Sequence, residues 1–210
     1  MDIYLASVLT NMTLIAFLAL SAYLVLVVGE VSFGQQAFFG IGAYITASAT
    51  ALVGVHIFWG LLAGAIGGAI CALLLGLLTI RLSGIYFAIS TLCFAELLRF
   101  SLLQIRFTQN IDGRIIGPDG PEGFSNIRWI FENHYAVTDF LLLAVTCLII
   151  LLIVLFSLER SHIMLGARMV GDDPVLAQSQ GLNPTHYRLS FIALSGAVAG
   201  FGGGLFALFN

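Results

Sequence analysis

Apolar residues in this chain come in long unbroken runs rather than in narrow amphipathic stripes. A helix crosses about 30 Å of hydrocarbon with ~20 residues at about 1.5 Å each. About six runs meet or approach that length: 5–28, 33–53, 57–80, 85–103, 137–158 and 189–210. Short connections separate some of them, at 29–32, 54–56 and 81–84. Two are long, at 104–136 and 159–188. No run alternates with period two over several segments, which argues against a barrel. The pattern predicts an all-α polytopic membrane helix bundle in one domain, residues 1–210. The first run has no basic flank before it and is too long for the core of a secretory signal, so it reads as a span.

Composition sharpens this picture. The 210 residues are 60% hydrophobic and 9% charged, against about 25% charged in a soluble domain. A soluble enzyme and a disordered chain are both excluded. All eight basic residues are Arg, and the net charge of −3 argues against a nucleic-acid partner. The 23 Gly suit helices packed through small residues in lipid. Cys71, Cys93 and Cys147 stand alone inside apolar runs, without metal or disulfide spacing. His56, His134, His162 and His186 lie in or at loops, so no catalytic constellation forms within the bundle. The expectation is no enzyme activity, no metal and no cofactor. Charge does not orient the chain. With 159–188 inside, Arg81, Arg160, Arg168 and Arg188 face Arg106, Arg114 and Arg128, four against three.

Polar residues inside the runs are the first candidates for function. Ser32 and Gln35 have the S-x-x-Q spacing of a capping box, which predicts a helix beginning at Phe33. Gln35 and Gln36 set amides in an apolar helix, either lining a path or bonding to neighbours. Glu96 and Arg99 share one helix face three residues apart, as a pathway charge or an interfacial pair. Gly60, Gly64, Gly68 and Gly196, Gly200, Gly204 repeat at four, each forming a groove for a neighbouring helix. In 104–136, Asp112-Gly113 and Gly117-Pro118-Asp119-Gly120-Pro121 are turn chemistry, and Ile127, Trp129, Ile130 and Phe131 read as an interfacial segment.

The segment 168–184 is densely punctuated. Asp173 is a good N-cap, Pro174 a good first helical residue and Gly181 a good C′ residue. They predict a two-turn helix over 174–180, after which Asn183-Pro184 opens the last span. A short helix capped at both ends, outside the membrane, suits a rigid knob for a partner.

In order and spacing, the stretches 29–44, 84–99 and 168–188 resemble the permease subunits of branched-chain amino acid ABC transporters. Ala177-x-x-x-Gly181 is also similar to the coupling-loop signature of ABC importer permeases, with its usual leading Glu absent. The outer-loop Thr-Gly-Gly run of the family is replaced by Gly117-Pro118-Asp119-Gly120. The resemblance implies an importer subunit of the bacterial inner membrane, working by alternating access. It implies a second permease subunit, two ATP-binding subunits and an extracytoplasmic solute-binding protein. The cargo would be branched-chain amino acids or related small polar solutes. It makes 104–136 extracytoplasmic and 159–188 a cytoplasmic coupling loop. Arg168, Asp172, Asp173, Val175, Leu176, Ala177 and Gly181 would then couple to the ATPases. Ser32, Gln35, Gln36, Thr91 and Glu96 would border the translocation path. Family members carry further helices, so a fragment or shortened permease is expected, with the Gly196/Gly200/Gly204 groove lacking its partner. The alternatives are a non-ABC channel or secondary transporter, or an ABC permease for sugars, urea or amides.

Overall fold

The computed structural model describes residues 3–52, 54–105, 109–111, 114–118, 124–125 and 137–209. Helices α1 (Ile3–Val27), α2 (Gln35–Ala47), α3 (Ile57–Thr79) and α4 (Ile85–Gln104) come first. Then follow α5 (Val137–Glu159), α6 (His162–Asp172), α7 (Pro174–Ser179) and α8 (Pro184–Phe209). Among the described residues, five helices are long and apolar enough to cross a membrane: α1, α3, α4, α5 and α8. The chain is a multi-pass helical membrane bundle.

The expected second span differs. The α2 helix has 13 residues, only about 20 Å at ~1.5 Å per residue. It passes into a π-helical turn, Ser48–Leu52. Two hydroxyls bond back to carbonyls here: Ser48 Oγ donates to the Tyr44 carbonyl at 2.7 Å and Thr50 Oγ1 to that of Thr46 at 2.8 Å. The long connection also holds strands β1 (Gln109–Ile111), β2 (Arg114–Pro118) and β3 (Phe124–Ser125), antiparallel in that order. Two to five residues are too few for a period-two pattern to register. Ile111 pairs with Arg114. Asp112-Gly113, Asp119 to Pro121 and the expected interfacial segment lie outside the described residues.

The two glycine rows meet each other. A Cβ built on Gly200 would lie 2.5 Å from the Gly64 carbonyl oxygen and 3.1 Å from the Gly68 Cα. One on Gly196 would lie 2.5 Å from the Gly68 carbonyl oxygen. Gly204 packs against Thr46 and Leu61. The groove expected to lack a partner is therefore filled by α3 and α2 of the same chain. Only backbones without side chains can approach this closely. Buried hydroxyls add bonds between helices: Ser21 Oγ reaches Ser195 Oγ at 2.9 Å, joining α1 to α8, and Thr46 Oγ1 donates to the Gly60 carbonyl at 3.1 Å. The most enclosed helix is α8, surrounded by α1, α2 and α3, whereas α4 and α5 are largely uncovered.

Candidate functional site

One end of the bundle gathers the α1–α2 link, the α3–α4 turn and the whole of α6, α7 and the start of α8. Two left-handed glycines shape it. Gly29 has φ +78°, the Glu30 N–H reaches the Val25 carbonyl at 3.3 Å and the Gly29 N–H that of Leu26 at 3.0 Å. This is a Schellman ending of α1. Gly181 has φ +83°, the Leu182 N–H bonds Ala177 at 3.1 Å and the Gly181 N–H bonds Gln178 at 3.0 Å. The α7 helix ends the same way.

At its front, Asp173 Oδ1 accepts the N–H of Val175 at 2.9 Å and of Leu176 at 3.1 Å. The expected double capping is present, with the helix ending at Ser179 and Gln180 as its C-cap. Ala177 is fully buried beneath it, while Val175 and Leu176 are 74% and 56% exposed. Asn183 Oδ1 then receives the His186 N–H at 3.4 Å. The expected coupling residues thus divide. Ala177 anchors, Gly181 and Asp173 cap, and Val175 and Leu176 face outward. Asp172 is exposed. Arg168 reaches Glu159 at 3.5 Å, and the Tyr23 hydroxyl donates to the same carboxylate, so Arg168 is held on its own chain.

The sequence reading missed α6. Met164, Ala167 and Val170 are fully buried, with Ile163 and Leu165 exposed on the other side. The Ser161 hydroxyl accepts the Met164 N–H at 3.4 Å. The i, i+3, i+6 spacing and a Ser N-cap were available as signals. Gly166 packs on the Tyr187 ring, and a Cβ on Gly171 would lie 2.7 Å from the Val27 carbonyl oxygen. Backbone contact therefore joins α6 to the end of α1.

The expected path residues are only partly together. Gly34 is the N-cap of α2, and Ser32 Oγ accepts the Gly34 N–H at 3.1 Å. The capping box with Gln35 does not form, because the helix begins two residues later than expected. Thr91 is buried. Its Oγ1 accepts the Phe33 N–H at 3.0 Å and donates to the Ala88 carbonyl at 2.8 Å, pinning the α2 start to α4. Gln35 is buried, and its Nε2 has no hydrogen-bond partner among the described residues. Gln36 is exposed. Glu96 lies about 140° round α4 from Thr91, at ~100° per residue. It faces outward in a 2.8 Å pair with Arg99, both side chains about half exposed.

A buried ion pair was not foreseen. Glu30 is 2% exposed. Its Oε1 lies 3.1 Å from Arg188 Nη2, and its Oε2 accepts the Gly84 N–H at 3.0 Å. Elsewhere, α1, α5 and α8 border an apolar groove of about 330 Å³ lined by residues including Phe17, Cys147, Leu151 and Phe201. Among the described residues its lining is apolar side chains and the Cys147 thiol.

The family model described as "Branched-chain amino acid transport system / permease component" matches residues 4–210. The chain is 32% identical over 207 residues to the high-affinity branched-chain amino acid transport system permease protein LivM of Salmonella typhimurium, covering 85% of this chain and 46% of that protein. To LivM of Escherichia coli it is 32% identical over 205 residues, with the same coverage. The chain spans about half the length of these curated relatives. No solved structure matches it.

Proposed function

The chain belongs to the branched-chain amino acid transport system permease family, and from that premise we propose that it forms a membrane-spanning part of an ATP-driven importer for branched-chain amino acids or related small polar solutes. It works with a second permease subunit, two ATP-binding subunits and an extracytoplasmic solute-binding protein. Hydrolysis belongs to the ATP-binding subunits, and the permease alternates its access between the two sides of the membrane. In this reading 159–188 is cytoplasmic and 104–136 extracytoplasmic.

The observation that carries the reading is α7. It is capped at both ends, seated on buried Ala177, and turns two apolar side chains, Val175 and Leu176, outward. A groove on an ATPase gives it a use, with about 1.5–3 kcal/mol available per fully buried side chain. The path in this arrangement runs between two permease chains, and Gln36 and Glu96 are polar groups that this chain turns outward toward it. Ser32 and Thr91 set the position of the α2 start behind them, where Gln35 is buried.

Leu176→Asp tests the reading in the transporter assembled from the full natural chain. The expected outcome is weakened ATPase co-purification and loss of substrate-stimulated ATP hydrolysis in proteoliposomes, with normal membrane insertion. If both remain intact, α7 is not the coupling element, and a channel or secondary transporter becomes the better reading.

A further inference from the structure

The α7 knob must move something if it transmits force, and the hydrogen bonds around it show what is tied to it. Only 180–183 separates α7 from α8, and that link is closed by the Gly181 and Leu182 N–H bonds back to α7 and by the Asn183 cap. Displacing α7 therefore displaces the start of α8, where Arg188 is the fifth residue. The Arg188 guanidinium meets Glu30, and the second oxygen of the same carboxylate holds the Gly84 N–H. Glu30 is itself fixed to α1 through its N–H bond to Val25. One buried carboxylate thus joins the ends of α1, α4 and α8, and Gly29 beside it lies against Gly171 of α6.

We propose that Glu30 is a positioning residue for energy coupling, holding the α1–α2 and α3–α4 turns to the α6–α8 unit so that all three move together when α7 is displaced. The proposal rests on the reading of α7 as the ATPase-docking element. Packing alone would hold these turns in place without a charge. A buried carboxylate is costly unless each oxygen has a partner, and here the two partners belong to different helices. The arrangement transmits a pull between elements as well as holding one of them.

The test uses proteoliposomes of the full natural chain with its partner subunits, measuring solute uptake and ATP hydrolysis side by side. Glu30→Gln keeps the size and an acceptor for the Gly84 N–H but removes the charge pair. The ATPases should still co-purify and ATP hydrolysis should persist. Solute moved per ATP should fall at least about fivefold, the lower edge of ordinary coupling between sites. Arg188→Gln should fall similarly, the double variant should be no worse than the worse single one, and Arg188→Lys should recover most of the ratio. An unchanged ratio, additive losses, or uptake and hydrolysis falling in parallel would overturn the proposal. Should Glu30→Gln fail to accumulate, the Arg188→Lys and Arg188→Gln ratios decide it in the same way. Failure of the underlying reading is seen separately, with Glu30 intact, as unaltered ATPase association in Leu176→Asp.

Discussion

Gly181 holds φ +83°, and a Cβ built there would meet no other atom within 4 Å. Any cost of a side chain at this position is therefore conformational and not steric crowding by neighbours. Gly181→Val should cost more than about 1–2 kcal/mol, the penalty of an ordinary left-handed residue, because Val is β-branched. The expected result is weaker ATPase co-purification with unaltered insertion, because the residue lies outside the spans. Gly181→Asn, which tolerates this conformation, should restore most of it. Asp173 and Gly181 were legible as caps because their chemistry is local. Ser32 and Gln35 had equally good spacing, but Ser32 bonds the Gly34 N–H instead. Thr91, distant in sequence, takes the Phe33 N–H, and no local pattern contains that bond.

Among the elements, the glycine rows of α3 and α8 were legible as packing faces, but their pairing was not. The geometry separates a glycine of these rows from one on α2 outside them. A Cβ on Gly200 would meet the Gly64 carbonyl at 2.5 Å, whereas one on Gly40 would meet only the end of Leu102 at 3.6 Å. Gly200→Ala should separate α8 from α3 and cost about 1–3 kcal/mol by overpacking. Gly40→Ala should be neutral or gain up to about 1 kcal/mol of helix propensity. The midpoint of thermal aggregation in detergent checks this. Equal midpoints for the two variants would mean that the rows do not interlock. Missing α6 had a different cause. Its buried stripe of Met164, Ala167 and Val170 is short and sits in a segment whose Asp, Pro and Gly residues read as loop.

For the whole molecule, the open question of Glu96 becomes one of surroundings. It is paired with Arg99 and turned out of this chain's own bundle, so its role depends on what covers α4. If the path runs between two permease chains, Glu96→Gln should lower uptake by about tenfold, equivalent to ~1.4 kcal/mol, while expression stays normal. If Glu96 is instead only half of a structural pair, Arg99→Ala should be at least as damaging to accumulation, because it leaves Glu96 unpaired. Uptake assays paired with membrane immunoblots read both effects. Unchanged uptake in Glu96→Gln would leave the pair a structural one at the surface of α4.

Composition and run length were enough for the class of molecule and for the positions of the five long helices, though not for the span expected at 33–53. Burying runs of this length in lipid is a property of composition and length, and needs no knowledge of neighbours. The sequence by itself also determined α7, whose ends are fixed by residues within a few positions of each other. The tertiary structure alone decided that α3 and α8 fill each other's grooves, that Thr91 holds the start of α2, and that Glu30 meets Gly84 and Arg188. Each of these contacts joins residues far apart in the chain. Their partners are chosen by how the helices pack, because an apolar face or a lone carboxylate carries no record in the sequence of what it will touch.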